Sequence, residues 1–154
     1  MKKKKKKNKA TVGWTEYTEL PDWRIKGLHA KVDTGAKTSA LHIEDLMPLS
    51  RDKVEFYVVR KLRPKKVRRR VVAKVVKWAR VRSSNGDWQR RPFVRTTLKL
   101  GPVEKEIELS LVDRESMRFR MLLGREALKR DFVVDVSKRD VLTRSKRSKE
   151  RGKG

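Results

Sequence analysis

Val32-Asp33-Thr34-Gly35-Ala36 and, about ninety residues later, Met121-Leu122-Leu123-Gly124-Arg125-Glu126-Ala127-Leu128 are the two stretches on which the reading of this chain turns. The first puts a carboxylate on a tight turn directly after an apolar residue, since Asp, Thr and Gly all favour turns. The second is an apolar run closed by a glycine and followed by good helix formers. Asp-Thr-Gly alone is ordinary turn chemistry. Its context gives it weight: an apolar strand feeds it, and the second stretch follows after a set of alternating segments.

Working outward, Trp14–Leu20 reads as a strand, Pro21-Asp22 as a turn, and Ile25–Val32 as a second strand leading into Asp33. Ala36 to His42 leads away from the turn. Lys53–Val59 alternates, with Val54, Phe56 and Val58 on one face. Arg60–Arg70 reads as a basic loop broken by Pro64, and Val71–Val81 as a β-rich stretch with Val71, Ala73, Val75, Ala79 and Val81 at even spacing. Ser83-Ser84-Asn85-Gly86 is the strongest hairpin turn in the chain, because Asn-Gly accepts positive φ at both positions. Phe93–Leu100 (Val94, Thr96, Leu98 and Leu100 inward) and Val103–Val112 (Ile107, Leu109 and Leu111 inward) flank a Gly101-Pro102 break. Glu104, Glu106 and Glu108 face outward and are placed to pair with Lys99 and Arg95. Met117–Leu123 is a further strand, Gly124–Arg130 one short helix, and Phe132–Val136 the last strand. Many short strands and one helix define an all-β chain, a barrel or a sandwich.

Of the 154 residues, 36% are apolar and 41% charged, and the formal net charge is +25. Residues 1–10 hold seven lysines and no acid, and residues 143–154 hold six Lys or Arg against one Glu. These two basic tails are expected to be disordered and to flank a single folded domain over residues 11–142. There is no cysteine, which removes disulfides and thiolate metal sites. No apolar run approaches the length of a membrane span, and no apolar h-region follows the lysine-rich start, so no signal peptide is expected. A cytoplasmic protein that attracts polyanions and has no membrane association is the expectation.

In their order, the two opening stretches resemble the two halves of a retropepsin-like aspartic protease. The resemblance is closer to a bacterial branch labelled ATP-dependent zinc proteases and encoded beside glutamate ligases that modify a ribosomal protein. Its members look like Lys31 to His42, Arg82-x-Ser84-Asn85-Gly86, Asp113-Arg114-x-x-Met117-x-Phe119-x-Met121-Leu122-Leu123-Gly124-Arg125-x-Ala127-Leu128 and Phe132-x-Val134-Asp135. The match covers roughly Trp14 to Leu142.

This resemblance implies a retropepsin-like acid-protease barrel with one short C-terminal helix. It also implies aspartic proteolysis, with Asp33 catalytic, Thr34 and Gly35 completing the motif, and Gly124 and Arg125 as its structural counterpart. One Asp-Thr-Gly per chain makes only half a site, so a homodimer is implied. Ala36, Asn85, Gly86 and Trp88 are the substrate-binding candidates, with the Ser83–Trp88 hairpin as a flap. Trp88 could act as a lid, but a packed edge residue is its plainer reading. Viral retropepsins carry an acid after Asp-Thr-Gly-Ala that pairs with the second-motif arginine. Here Lys37 stands at that position, leaving Asp113 or Asp131 as the expected partners of Arg125.

Two histidines, His29 and His42, without His-Glu-x-x-His do not make a zinc site, and no phosphate-binding glycine loop is present. No metal and no cofactor are expected, and His29, on a strand beside the Asp33 turn, reads as a structural residue or a support to the site rather than a ligand. Arg60–Arg82 holds twelve Lys or Arg and no acid. It is either a solvated surface or a polyanion site for an acidic peptide, RNA or the ribosome. Trp78 and Trp88 lie close enough in sequence to stack on bases. The second reading of the whole chain is therefore a catalytically silent RNA- or ribosome-binding module.

Overall fold

The computed structural model describes residues 8–61, 64–82, 85–115 and 118–143. Their strands are β1 (Ala10–Val12), β2 (Thr15–Leu20), β3 (Ile25–Val32), β4 (Ser39–His42), β5 (Glu44–Ser50), β6 (Lys53–Lys61), β7 (Val67–Arg82), β8 (Trp88–Leu100), β9 (Val103–Val112), β10 (Met121–Leu123) and β11 (Phe132–Val134). A 3₁₀ turn covers Pro21–Trp23, and the one-turn helix α1 spans Arg125–Leu128.

Six strands close into a barrel in the order β2-β3-β10-β4-β9-β8, and the pairing of Glu19 with Lys99 brings β8 back to β2. This is the retropepsin-like barrel that the two opening stretches implied. The alternation of β8 and β9 fills it: Val94, Leu98, Leu100, Leu109 and Leu111 are buried, and Thr96 and Ile107 nearly so. Leu28, Ala30, Leu41, Met121 and Leu123 complete the interior from β3, β4 and β10. Beyond β8 the sheet continues outward as β7, β6 and β5, all antiparallel, with Phe56 and Val58 folded under it. β1 and β11 form a separate parallel pair, Ala10 opposite Phe132 and Val12 opposite Val134.

Several boundaries differ from the sequence reading, each for a physical reason. Arg60–Arg70 is strand at both ends, with the loop confined to the segment around Pro64: β6 runs to Lys61 and β7 resumes at Val67. Its arginines are tolerated on a strand because acids of β5 and β6 stand beside them. Arg68 reaches Asp45 (2.6 Å) and Glu44 (3.2 Å), and Arg70 reaches Glu55 (2.8 Å). β5 escaped notice because it is an exposed edge strand with no alternation, interrupted by Asp45 at φ 51° and by Pro48. Such irregularity blunts an edge against further pairing. Ala10 lies in β1 rather than in the tail, and residues 1–7 lie outside the described residues.

The proposed Met117–Leu123 strand contracts to Met121–Leu123, and Met117 lies outside the described residues. Phe119 instead packs edge-on against Trp14 (centroids 5.9 Å) and His29 (5.2 Å). The helix stops at Leu128, because Lys129 is extended and Arg130 takes φ 74°. β11 stops at Val134, where Asp135 turns the chain by accepting bonds from the Ser137 amide and hydroxyl. Arg95 and Lys99 do stand opposite Glu108 and Glu104, yet the ion pair of Glu108 is with Lys77 at 3.1 Å.

One buried carboxylate gathers residues 141–143 against β2. Glu16 is fully buried and accepts hydrogen bonds from the amides of Gly13, Val141, Leu142 and Thr143 and from the Thr143 hydroxyl. A carboxylate is stable in such a place only because N–H and O–H donors replace its water. Asp140 accepts from Thr15 Oγ1 and bonds His29 Nε2, each at 2.9 Å, and His29 stacks on Tyr17 at 4.2 Å. His29 is thus structural, as read. Glu16→Gln presents an amide to donors and is expected to destabilise the fold by about 2–4 kcal/mol. Chemical denaturation checks this, and an unchanged midpoint would contradict it.

Candidate active site

The site grows from two strand ends laid side by side. β3 and β10 run parallel, with Ala30 opposite Met121, Lys31 opposite Leu122 and Val32 opposite Leu123. The two stretches quoted first therefore finish together. The Asp33 amide donates to the Leu123 carbonyl at 2.9 Å, and the Val32 amide to the Trp14 carbonyl at 2.8 Å. Beyond Asp33 the chain turns on itself. The Gly35 amide donates to Asp33 Oδ1 (3.1 Å), and the Ala36 amide to the Asp33 carbonyl (3.2 Å). Asp33 is half-buried, and Thr34 and Gly35 are exposed.

The second stretch then seats against this turn. The amides of Arg125 and Glu126 donate to the carbonyls of Ala36 (2.8 Å) and Lys37 (3.0 Å). The Gly124 amide donates to Ser39 Oγ at 3.0 Å. Arg125 Nη1 donates to the Thr34 carbonyl at 2.9 Å. The free amides at the start of α1 thereby satisfy loop carbonyls that would otherwise need water. The fit requires glycine: a Cβ at Gly124 would lie 2.8 Å from the Thr38 carbonyl carbon and 2.9 Å from the Lys37 oxygen.

Asp33, Thr34, Gly35, Ala36, Gly124 and Arg125 are thus brought together. The expected partners of Arg125 were wrong. Asp131 is held by Lys105 at 2.8 Å, and the guanidinium bonds a backbone carbonyl, a partner that no sequence displays. Ser39 was also missed, although a hydroxyl a few residues past a turn is the kind of group that fixes a neighbouring backbone. Asn85, Gly86 and Trp88 sit at the end of the β7–β8 hairpin. Gly86 there takes φ 90° and its carbonyl accepts from Arg82 Nε at 3.3 Å. Ser83 and Ser84 of that turn lie outside the described residues. No hydrogen bond joins this hairpin end to the Asp33 loop among the described residues. An open groove of about 370 Å³ flanks the loop on the α1 side, lined by Lys37, Thr38, Lys77, Glu106, Glu108 and Glu126 among others. Asp33 is not in its wall.

His42, at the end of β4, is completely buried. Its Nδ1 accepts from the Arg114 amide at 3.0 Å, and its Nε2 lies 3.8 Å from Glu44, beyond hydrogen-bond reach. Burial, reinforced by Arg120, pushes its pKa below the ordinary 6.5 against the opposing pull of Asp113, Glu44 and Glu115.

A half-barrel turn of Asp-Thr-Gly locked by an apolar-Gly-Arg helix start defines a retropepsin-like domain. The model of the RimB-like family, retropepsin-like aspartic endopeptidase RimB, matches residues 11–145, and the chain belongs to that family. It is 36% identical over 134 residues to a Shewanella pealeana protein named probable alpha-L-glutamate ligase, covering 84% of this chain and 29% of that protein. A Desulfotalea psychrophila protein of the same name is 36% identical over 131 residues, 82% of this chain and 28% of the relative. The chain thus spans less than a third of the length of these curated relatives. A solved structure from Legionella pneumophila, the protein Lpg0085 of unknown function (DUF785), superposes with a TM-score of 0.74 at 25% identity. That match covers 88% of this chain and all of the other.

Two outcomes test the site's construction. Gly124→Ala must displace backbone and is expected to cost about 1–3 kcal/mol. Gly35→Ala meets only Asp33 Oδ1, at 3.2 Å, and should cost less. Thermal unfolding of the two variants compares them, and equal losses would refute the assignment. For His42 the depressed folded pKa means that the unfolded chain binds the proton first. Its contribution is complete above pH 6.5 and declines as pH falls below that value toward the folded pKa. A pH series of unfolding midpoints should show that decline, and His42→Asn should flatten it.

Proposed function

We propose that the chain is an aspartic endopeptidase that works as a homodimer, with Asp33 of each protomer sharing one water. The observation that carries this reading is the Asp33 turn itself: a half-buried carboxylate held in place by the second stretch, in a chain belonging to an aspartic endopeptidase family. Each chain has one Asp-Thr-Gly, so the second carboxylate comes from a second copy across a two-fold axis. Two carboxylates about 3 Å apart hold a single proton between them. The ionised one takes a proton from the water as it attacks the peptide carbonyl, and the protonated one donates to the carbonyl oxygen. Exposed Thr34 stands where two such loops meet, and Gly35 leaves room for substrate backbone.

Support for the dimer comes from β1 and β11. A two-stranded parallel sheet is marginal alone, and parallel strands are usually covered on both faces. Here Val133 and Val136 remain 51% and 79% exposed, an apolar margin suited to a second copy.

The substrate in this reading is an acidic peptide or protein segment, ribosome-associated ones included. A net charge of +25 and the exposed Lys31 and Lys37 on either side of Asp33 favour it. Longer proteins named as glutamate ligases contain a segment like this chain, which also favours glutamate-rich substrates. Ala36 lines the cleft in this scheme, and the hairpin end with Asn85, Gly86 and Trp88 acts as its flap. The absence of cysteine suits work in the cytoplasm. Among the described residues no helix is long and apolar enough to cross a membrane.

Asp33→Asn keeps the turn and removes the base, so hydrolysis of a glutamate-rich peptide should fall roughly 10²–10⁴-fold with the unfolding midpoint little changed. Retained activity would defeat the mechanism. Dimerisation should tighten as salt rises, because like-charged protomers repel less. Val133→Arg should shift sedimentation toward monomer and lower activity in step. An active monomer would overturn the two-chain site.

A further inference from the structure

The arginines of β7 fall into two populations. Near its start Arg68 and Arg70 are neutralised by Glu44, Asp45 and Glu55, and Arg69 between them donates to the Arg24 carbonyl. Past the bulge between Val75 and Lys77 the pairing with β8 continues as Trp78–Pro92, Ala79–Arg91, Arg80–Arg90, Val81–Gln89 and Arg82–Trp88. Pairing of β8 with β9 begins only at Phe93, so this stretch is a two-stranded ribbon standing beyond the barrel. Directly opposed residues share a face. One face therefore carries Trp78, Arg80, Arg82, Trp88 and Arg90.

On that face the cations and indoles interleave. The Arg80 guanidinium lies 5.3 Å from the Trp88 ring centre and that of Arg90 5.7 Å from Trp78. Arg80, Arg82 and Arg90 are exposed and have no acidic partner among the described residues. Trp88 is 58% exposed.

We propose that this ribbon face binds single-stranded nucleic acid, a base stacking on exposed Trp88 beside half-buried Trp78, and phosphates meeting Arg80, Arg82 and Arg90. Guanidinium groups without acidic partners give up no ion pair when a phosphate arrives, and their planar forks match its oxygens. Arginine held over an indole is positioned in advance, beside a surface that any base can cover with its π-face. An acidic peptide would use the same arginines but gain nothing from the indoles, and that difference separates the two ligands. The ribbon shares Trp88 with the flap of the peptidase reading but does not involve the Asp33 turn, so oligonucleotide binding that survives Asp33→Asn tells the two readings apart.

The test uses the full chain and its Asp33→Asn variant at physiological salt. The probes are a labelled oligouridylate, an oligodeoxythymidylate of equal length and an oligoglutamate, followed by fluorescence anisotropy. Trp88→Ala should weaken both oligonucleotides about tenfold, Trp88→Phe should recover most of that loss, and oligoglutamate should lose several-fold less than either oligonucleotide. Arg80→Gln with Arg90→Gln should weaken all three. Asp33→Asn should leave both oligonucleotides unchanged. A loss confined to uridylate or to thymidylate would identify the kind of strand recognised and still support the site. Oligonucleotide binding indifferent to Trp88→Ala, or oligoglutamate binding that falls equally, would overturn the proposal in favour of a general polyanion surface.

Discussion

The close approach of Gly124 to the backbone of Lys37 and Thr38 is the constraint on which this molecule hangs. Only a residue without a side chain lets a helix start come near enough for its amides to reach the carbonyls of Ala36 and Lys37. The dependence is mutual. A four-residue helix has no stability of its own, so α1 exists because the loop accepts its amides. The loop holds its shape because those amides, the Arg125 guanidinium and Ser39 leave its polar groups satisfied. The same junction explains the unusual strand order. β10 can lie parallel to β3 and antiparallel to β4 because the chain on either side of the turn is pinned to it.

β8 carries a second kind of burden. It pairs with β9 along its later half, with β7 along its earlier half, and with β2 near its end. One strand thus closes the barrel and also launches the outer sheet. Its composition follows the division: Val94, Thr96, Leu98 and Leu100 point into a dry interior, whereas Trp88, Gln89 and Arg90 lie where no third strand covers them.

What the sequence revealed was what period and turn chemistry encode. β8 and β9 were legible because Leu98, Leu100, Leu109 and Leu111 alternate strictly with polar residues, and the Asp33 turn because Asp-Thr-Gly after an apolar strand has few uses. Three things were hidden. β5 has no alternation, since nearly all of it faces solvent. β7 looked like a loop at Arg68–Arg70 because the acids that neutralise those arginines come from Glu44, Asp45 and Glu55, up to 24 residues away in the chain. Most concealed were partners made of backbone. Arg125 binds a carbonyl, and Glu16 binds four amides and a hydroxyl, so neither arrangement leaves a trace in residue identities.

The parallel union of β3 with β10 has a consequence in time. Asp33 leaves the ribosome long before Leu123 and Gly124 are made, and contacts between such distant segments form late. Until the chain has been extended through α1, the Asp33 amide lacks its carbonyl and the following turn lacks its lock. Glu16 waits longer still, for the amides of residues 141–143. A growing chain therefore carries an unlocked Asp-Thr-Gly segment until residues 123–126 have emerged, and the turn takes its final form only when most of the domain is available to fold.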